Sequence, residues 1–173
     1  MAEAATEDWP KLVFDRLVEA DVHLFAYVPD FGNDRLVKLA NARNDTQTVL
    51  LSAEEEGVAL CCGADLVGRR AVLLMQSSGV GNVINFLSLV QGGRFPFLTI
   101  VTMRGDYGEQ NPWQYPMGQA VTPVLEAMGM LVIKVERMDE LDHAVTAAIG
   151  AAFVAGQGVA LVLGQKFLGA KSF

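Results

Sequence analysis

Six short runs of nearly uninterrupted apolar residues recur along the chain, and between them apolar positions return every three or four residues. The runs are "HLFAYV" (23–28), "QTVLL" (47–51), "RAVLLMQ" (70–76), "FPFLTIVTM" (95–103), "LVIKV" (131–135) and "VALVLG" (159–164). Apolar runs of this length predict strands, and the longest read as strands covered on both faces. The intervening segments predict helices over about 9–20, 33–43, 80–91, 119–129 and 138–156, with an acid-led helix ending near Val67. Alternation of this kind predicts an α/β fold, a six-stranded parallel sheet with helices on both faces. No linker, repeat or low-complexity tract interrupts it, so residues 1–173 read as a single domain. Ligands of such sheets gather beyond the carboxyl ends of the strands. Four stretches fall there: "VPDFGND", "SAEEEG", "QSSGVGN" and a long segment from Arg104 to Gly118.

The acid-led helix poses the sharpest question. Glu54, Glu55 and Glu56 precede Val58, Ala59, Leu60, Cys61, Cys62, Ala64, Leu66 and Val67, so the helix reads as buried nearly all round. Ser52 with Glu55 three residues on forms a capping-box pattern. Acids in a first turn also suit the helix dipole. Those effects account for one or two acids but not for a third at the mouth of an apolar helix. A carboxylate in apolar surroundings holds its proton more tightly and can exchange it near neutral pH. Periodicity does not select which Glu this is. "QSSGVGN" follows a buried strand and opens a helix, where glycines admit a ligand and the helix end attracts anions. An ordinary tight turn explains it equally well, and neither G-x-G-x-x-G nor a P-loop is present. The 104–118 segment is longer than a mere connection and carries Asn111, Trp113, Gln114 and Tyr115, which suits a lid or a subunit contact.

Composition narrows the classes. Hydrophobic residues make up 51% of the 173 and charged residues 19%, as in a globular protein. A mean hydropathy of +0.30 points to surface that a partner covers. The net charge of −7 and the absence of a basic stripe argue against nucleic acid. No apolar run approaches the roughly 18 residues of a membrane span. The acidic start "MAEAATEDWPK" lacks the basic and apolar regions of a signal peptide, so the expected compartment is the cytoplasm. Cys61 and Cys62 are neighbours on a helix, point about 100° apart and read as small core residues. His23 and His143 lie far apart in sequence, give no metal-ligand spacing and read as structural.

Taken together, "VPD", "AEEEGVALCCGADLVGRRAVLLMQSSGVGNVIN" and "MRGDYGEQNPWQYPMGQA" resemble the pyrimidine-binding domain of thiamine-diphosphate-dependent 2-oxo acid decarboxylases. The branch resembled is that of the sulfopyruvate decarboxylase α subunit and phosphonopyruvate decarboxylase. The resemblance runs from about Val28 to Gly129 and rests on E-x-x-x-V-A-L-x-x-G, M-Q-x-S-G-x-G-N and N-P-x-Q-x-P-M-G in combination. It implies the thiamine-diphosphate-binding fold. It also implies that one Glu hydrogen-bonds N1′ of the cofactor's aminopyrimidine, so that the 4′-nitrogen can take the proton from C2 of the thiazolium. The family's Glu stands nine residues before the Gly that closes V-A-L-x-x-G, which here is Gly63, so the resemblance assigns the catalytic role to Glu54.

The same resemblance implies cofactor contacts for Pro29, Gln76, Ser77, Ser78, Gly79 and Asn82, and substrate contacts for Asp30, Gln114 and Tyr115. Arg104 is a candidate to neutralise an anionic substituent on the substrate. The bulky Trp113 and Tyr115 depart from the smaller residues of the sulfopyruvate branch, and Phe31 and Gly32 depart from its V-P-D-S start. "GDYG" at 105–108 is not the G-D-G motif that holds Mg²⁺ and the diphosphate, and no Asn follows Asn111. The chain then supplies no metal ligand, and Mg²⁺ falls to a β-type partner subunit carrying G-D-G and a downstream Asn. The expectation is a hetero-oligomer, with a homo-oligomer when the chain is alone. Its rivals are a carboligase or lyase subunit of the same superfamily and a catalytically silent regulatory subunit.

Overall fold

Residues 8–169 are described by a computed structural model. The first residues of the acidic start, 1–7, lie outside the described residues. Each apolar run becomes a strand: β1 Val22–Tyr27, β2 Gln47–Leu50, β3 Arg70–Gln76, β4 Phe97–Thr102, β5 Leu131–Val135 and β6 Gly158–Leu163. They form one all-parallel sheet in the order β2-β1-β3-β4-β6-β5.

Successive strand residues face opposite sides, which divides the core in two. Leu24, Ala26, Ala71, Leu73 and Met75 pack under α3 (Glu54–Leu66), α4 (Val80–Val83), α5 (Leu87–Gly93) and α6 (Tyr115–Ala127). Phe25, Val72, Leu74, Leu98 and Ile100 pack under α1 (Trp9–Glu19), α2 (Asp34–Asn41) and α7 (Leu141–Phe153). Burying each such Leu or Phe contributes about 1.5–3 kcal/mol, so the sheet rather than helix propensity fixes the layers. The chain runs from β1 outward to β2 and then returns past β1 to β3, which places the topological switch between β1 and β3.

Five elements differ from the reading of the sequence. The 80–91 helix is broken: a 3₁₀ turn at Ser77–Gly79 leads into α4, and α5 starts only at Leu87. Val83, Ile84 and Asn85 are weak helix formers, and the break is closed by short i→i−3 bonds from Ser88 to Asn85 and Leu89 to Phe86. The long 104–118 segment is partly helical, with a 3₁₀ turn at Pro112–Gln114 and α6 beginning at Tyr115. Pro112 and Pro116 sit in first-turn positions, where proline's missing N–H has no consequence. A 3₁₀ turn at Met138–Glu140 precedes α7, and a short α8 (Gln165–Leu168) follows β6. Finally, α3 is not buried all round: Val58, Cys61, Cys62 and Ala64 face the sheet, while Ala59, Gly63, Leu66 and Val67 are exposed. Among the described residues no helix is long and apolar enough to cross a membrane.

Candidate active site

Glu54 is the first residue of α3 and is buried, 7% exposed, where β2 hands over to the helix. The Asn82 side-chain amide donates to Glu54 Oε2 at 2.7 Å. Oε1 lies against Gly79, and a Cβ built on Gly79 would stand 2.5 Å from it. The turn after β3 therefore meets Glu54 with bare backbone on one side and an amide donor on the other. The helix N-terminus adds positive partial charge beside the carboxylate.

The two other acids have different fates. Ala53 is the N-cap and makes no side-chain cap bond; the backbone N–H of Ser52 donates to Glu56 Oε2 at 2.9 Å. The expected Ser52–Glu55 capping box is thus corrected by one residue. The helix starts one position later, which puts Glu56 at the third helical position and leaves the cap to it. Glu55 instead carries a buried oxygen, Oε2, with no hydrogen-bond partner among the described residues.

Ser77 staples the β3 turn to the segment after β4. Its hydroxyl donates to the Arg104 carbonyl and accepts the Arg104 N–H, each at 3.1 Å. This carries the β3–β4 pairing beyond its last rung, Gln76 with Thr102. The Ser77 side chain is thereby committed to protein, and the turn offers a ligand its backbone. Ser78 is exposed and donates to Gln76 Oε1 at 3.2 Å. On the other side of β3, Asp30 is fixed by three groups. It accepts the Gly32 N–H at 2.6 Å, the Asn33 amide at 2.7 Å and the Thr102 hydroxyl at 3.2 Å. Asn33 and Thr102 are buried, and Asn33 Oδ1 has no hydrogen-bond partner among the described residues. Pro29 is exposed at the head of this turn.

Arg104 is held within its own loop. Its Nε and Nη2 donate to Glu109 at 2.9 and 2.7 Å, a forked pair formed inside its own loop. The Glu109 side chain is fully buried and also accepts Gln165 Nε2 and the N–H groups of Gln110 and Asn111. The Arg104 guanidinium, with these other donors, lowers the Glu109 pKa to about 2. The forked pair leaves the Arg104 side chain 20% exposed. Tyr115 donates its hydroxyl to the Glu109 carbonyl at 2.6 Å, and half-buried Gln114 is the N-cap of α6. Trp113 is 87% exposed beside them.

Glu109, Gln165, Asn33 and Thr102 were not singled out in the sequence, and no spacing marks them. His23 lies at the opposite, amino end of β1 beside Asp21, and His143 is exposed on α7. Among the described residues no group of three or more His, Cys, Asp or Glu side chains is placed to hold a metal ion.

Similarity to known proteins follows this geometry. No family model matches the chain. It is 36% identical over 129 residues to the sulfopyruvate decarboxylase subunit alpha of Methanococcus maripaludis, covering 74% of this chain and 77% of that protein. The chain belongs to the sulfopyruvate decarboxylase α-subunit family. The subunit of the same description from Methanocaldococcus jannaschii is 32% identical over 129 residues, covering 74% of this chain and 76% of its own. Among solved structures, the fold matches 2-oxoglutarate:ferredoxin oxidoreductase from Magnetococcus marinus with a TM-score of 0.71 at 15% identity. That match covers 92% of this chain and 29% of the oxidoreductase chain, and it speaks for the fold alone.

Proposed function

We propose that this chain is the pyrimidine-binding half of a heteromeric, cytoplasmic thiamine-diphosphate-dependent decarboxylase acting on a small 2-oxo acid. The observation that carries the reading is the Glu54 carboxylate, buried at the mouth of the β1–β3 crevice, held by Asn82 and pressed against bare backbone at Gly79. The donor set fits the aminopyrimidine end of the cofactor. Glu54 would hold the ring's N1′, and the Gln76–Gly79 turn, with Pro29 across the crevice, would hold the ring's edge. When bound, the cofactor supplies the electron sink for loss of CO₂.

The chain's own part is positional. Asn82 fixes the rotamer of Glu54 so that one oxygen remains directed at the crevice. Val58 and Val80, both fully buried nearby, keep the surroundings dry, where hydrogen bonds to a carboxylate are stronger. Asp30 on the β1 side, with Gln114 and Tyr115 at the start of α6, would border the oxo acid. Mg²⁺ and the diphosphate belong in this reading to a β-type partner with G-D-G and a downstream Asn. Two free, buried thiols, Cys61 and Cys62, agree with a reducing compartment.

Glu54→Gln tests the reading directly. The complex with the β-type partner should lose turnover while the variant folds normally, and the isolated chain should bind the cofactor with Mg²⁺ only in the millimolar range, about 4 kcal/mol. Calorimetric titration and CO₂ release measure the two. Near-native turnover in the variant, or micromolar binding and turnover by this chain alone, refutes it.

A further inference from the structure

The 3₁₀ turn that meets Glu54 is fastened at its first residue. Ser77 is 1% exposed, and one residue takes up both its proton and an acceptor position. The hydroxyl donates to the Arg104 carbonyl and accepts the Arg104 N–H, each at 3.1 Å, just beyond the last β3–β4 rung of Gln76 with Thr102. From there to the carboxylate is a short path through the same turn. A Cβ on Gly79, two residues on, would stand 2.5 Å from Glu54 Oε1, and Asn82 in α4 donates to Oε2 at 2.7 Å.

The far side of the Arg104 carbonyl is closed by α6. A Cβ on Gly118 would run into that carbonyl oxygen and stand 2.6 Å from Gly105 Cα, so the helix comes this close only because residue 118 has no side chain. Gln119 Nε2 donates to the Gly105 carbonyl at 2.9 Å, and Met117 Sδ would lie 3.4 Å from a Cβ on Gly81 in α4. Met117 and Gly118, which close the N-P-x-Q-x-P-M-G motif, thus bear on the turn after β3 and the end of β4. Arg104 is also anchored through its side chain, which forks onto the fully buried Glu109, itself held by Gln165 of α8. A buried backbone carbonyl and N–H keep their partner, because losing it leaves both groups unsatisfied.

We propose that Ser77 is a positioning residue for Glu54: its hydroxyl, backed by Gly118, clamps the backbone of Arg104 and so sets how closely the Ser77–Gly79 turn bears on the carboxylate. This rests on the decarboxylase reading above. The Ser77 side chain acts through the protein and not on the cofactor. A turn released from Arg104 carries Gly79 and the Asn82 donor away with it, and the carboxylate loses its fixed direction while the surfaces that bind cofactor and oxo acid remain.

The test compares wild type with Ser77→Ala, both in the complex with the β-type partner and as the isolated chain. In the complex, with sulfopyruvate and pyruvate as probes, kcat should fall roughly 10-fold or more while KM and the affinity for thiamine diphosphate stay within about threefold. In the isolated chain, hydrogen exchange at the Arg104 amide should quicken roughly 10-fold or more, and the NMR resonance of the Glu54 carboxyl carbon should move. A variant that binds the cofactor more weakly but turns over normally at saturation makes Ser77 a cofactor contact and overturns the inference. Unchanged kcat with an unmoved Glu54 resonance overturns it as well, and leaves the decarboxylase reading standing. Should Ser77→Ala fail to fold, the wild-type chain decides: an Arg104 amide that exchanges as fast as exposed chain excludes the clamp, and one protected like the β3–β4 ladder supports it. Absence of CO₂ release by the wild-type complex overturns the decarboxylase reading, and the two measurements on the isolated chain then still judge the clamp.

Discussion

Gly79→Ala is the smallest change that reaches the proposed chemistry without touching a functional group. Gly79 has φ −66° and ψ −22°, a conformation alanine adopts freely, so the backbone imposes no penalty. The penalty is steric. The new methyl would stand 2.5 Å from Glu54 Oε1 and 2.7 Å from its Cδ and Cγ, where ordinary contact begins at 3.4 Å. The carboxylate must retreat by about 0.7–0.9 Å to clear it. Retreat strains the 2.7 Å bond from Asn82, because Asn82 sits on the same turn as the intruding methyl. A misplacement near 1 Å in a catalytic group costs on the order of 10²-fold in rate. Overpacking costs about 1–3 kcal/mol of stability, which should leave the protein folded.

The assay is CO₂ release by the reconstituted complex at saturating cofactor, with thermal unfolding of the isolated chain alongside. Gly150→Ala, on α7 in the opposite layer, is the control, since nothing lies within 4 Å of a Cβ there. In the isolated chain it should stabilise α7 by about 0.5–1 kcal/mol. Turnover of Gly79→Ala within threefold of the wild type would refute the contact between the β3 turn and Glu54 as a determinant of rate.

Two further outcomes follow from the geometry. Glu56→Ala removes the acceptor of the Ser52 N–H and should lower stability by about 0.5–2 kcal/mol in chemical denaturation, whereas Glu55→Gln should leave that cap intact; the reverse ranking would restore the Ser52–Glu55 box. Glu109 has its pKa lowered in the folded state, so its contribution is fully present above the unfolded carboxylate value of 4.5 and is lost as the pH falls toward about 2. Denaturation between pH 6 and pH 2.5 should show a loss on the order of 2 kcal/mol that is absent in Glu109→Gln, and identical slopes for both proteins would exclude Glu109 as its source.

The strands were legible because a strand buried on both faces has no polar side to interrupt its apolar run, as in "RAVLLMQ" and "VALVLG". With six such runs separated by helical spacing, a parallel sheet was the consistent arrangement. Glu54 was legible only through its distance to Gly63 and the company of the other motifs, since all three acids precede the same apolar helix. Its partner Asn82 was marked by opening the next helix, but the hydrogen bond between them is a matter of how the β3 turn folds back. The Arg104–Glu109–Gln165 knot left no trace in the pattern. Gln165 is 56 residues from Glu109, and a polar residue after a strand reads as solvated until the fold buries it. The 104–118 segment reads as one long loop because Pro112 and Pro116 suggest irregular chain, whereas each stands in the first turn of a helix.

The exposed side of α3 bears on why such a site would be divided between two chains. Ala59, Gly63, Leu66 and Val67 face outward from the helix whose first residue is Glu54, and Phe86 and Leu89 face outward where the chain passes from α4 into α5. A groove lined by Leu24, Val49, Leu60 and Val67 opens between α3 and the β2 edge. These apolar positions belong to the same layer of helices that carries Glu54 and Asn82 on its inner and upper rim. On the heteromeric reading, a partner covering this layer would remove apolar surface from water at about 25 cal/mol per Å². It would also press α3 against the β3 turn. The contact that completes the site would then be the contact that holds the carboxylate in place. Assembly and the geometry of Glu54 would be set together, and a chain kept apart from its partner would lack the diphosphate half and the packing that steadies its own.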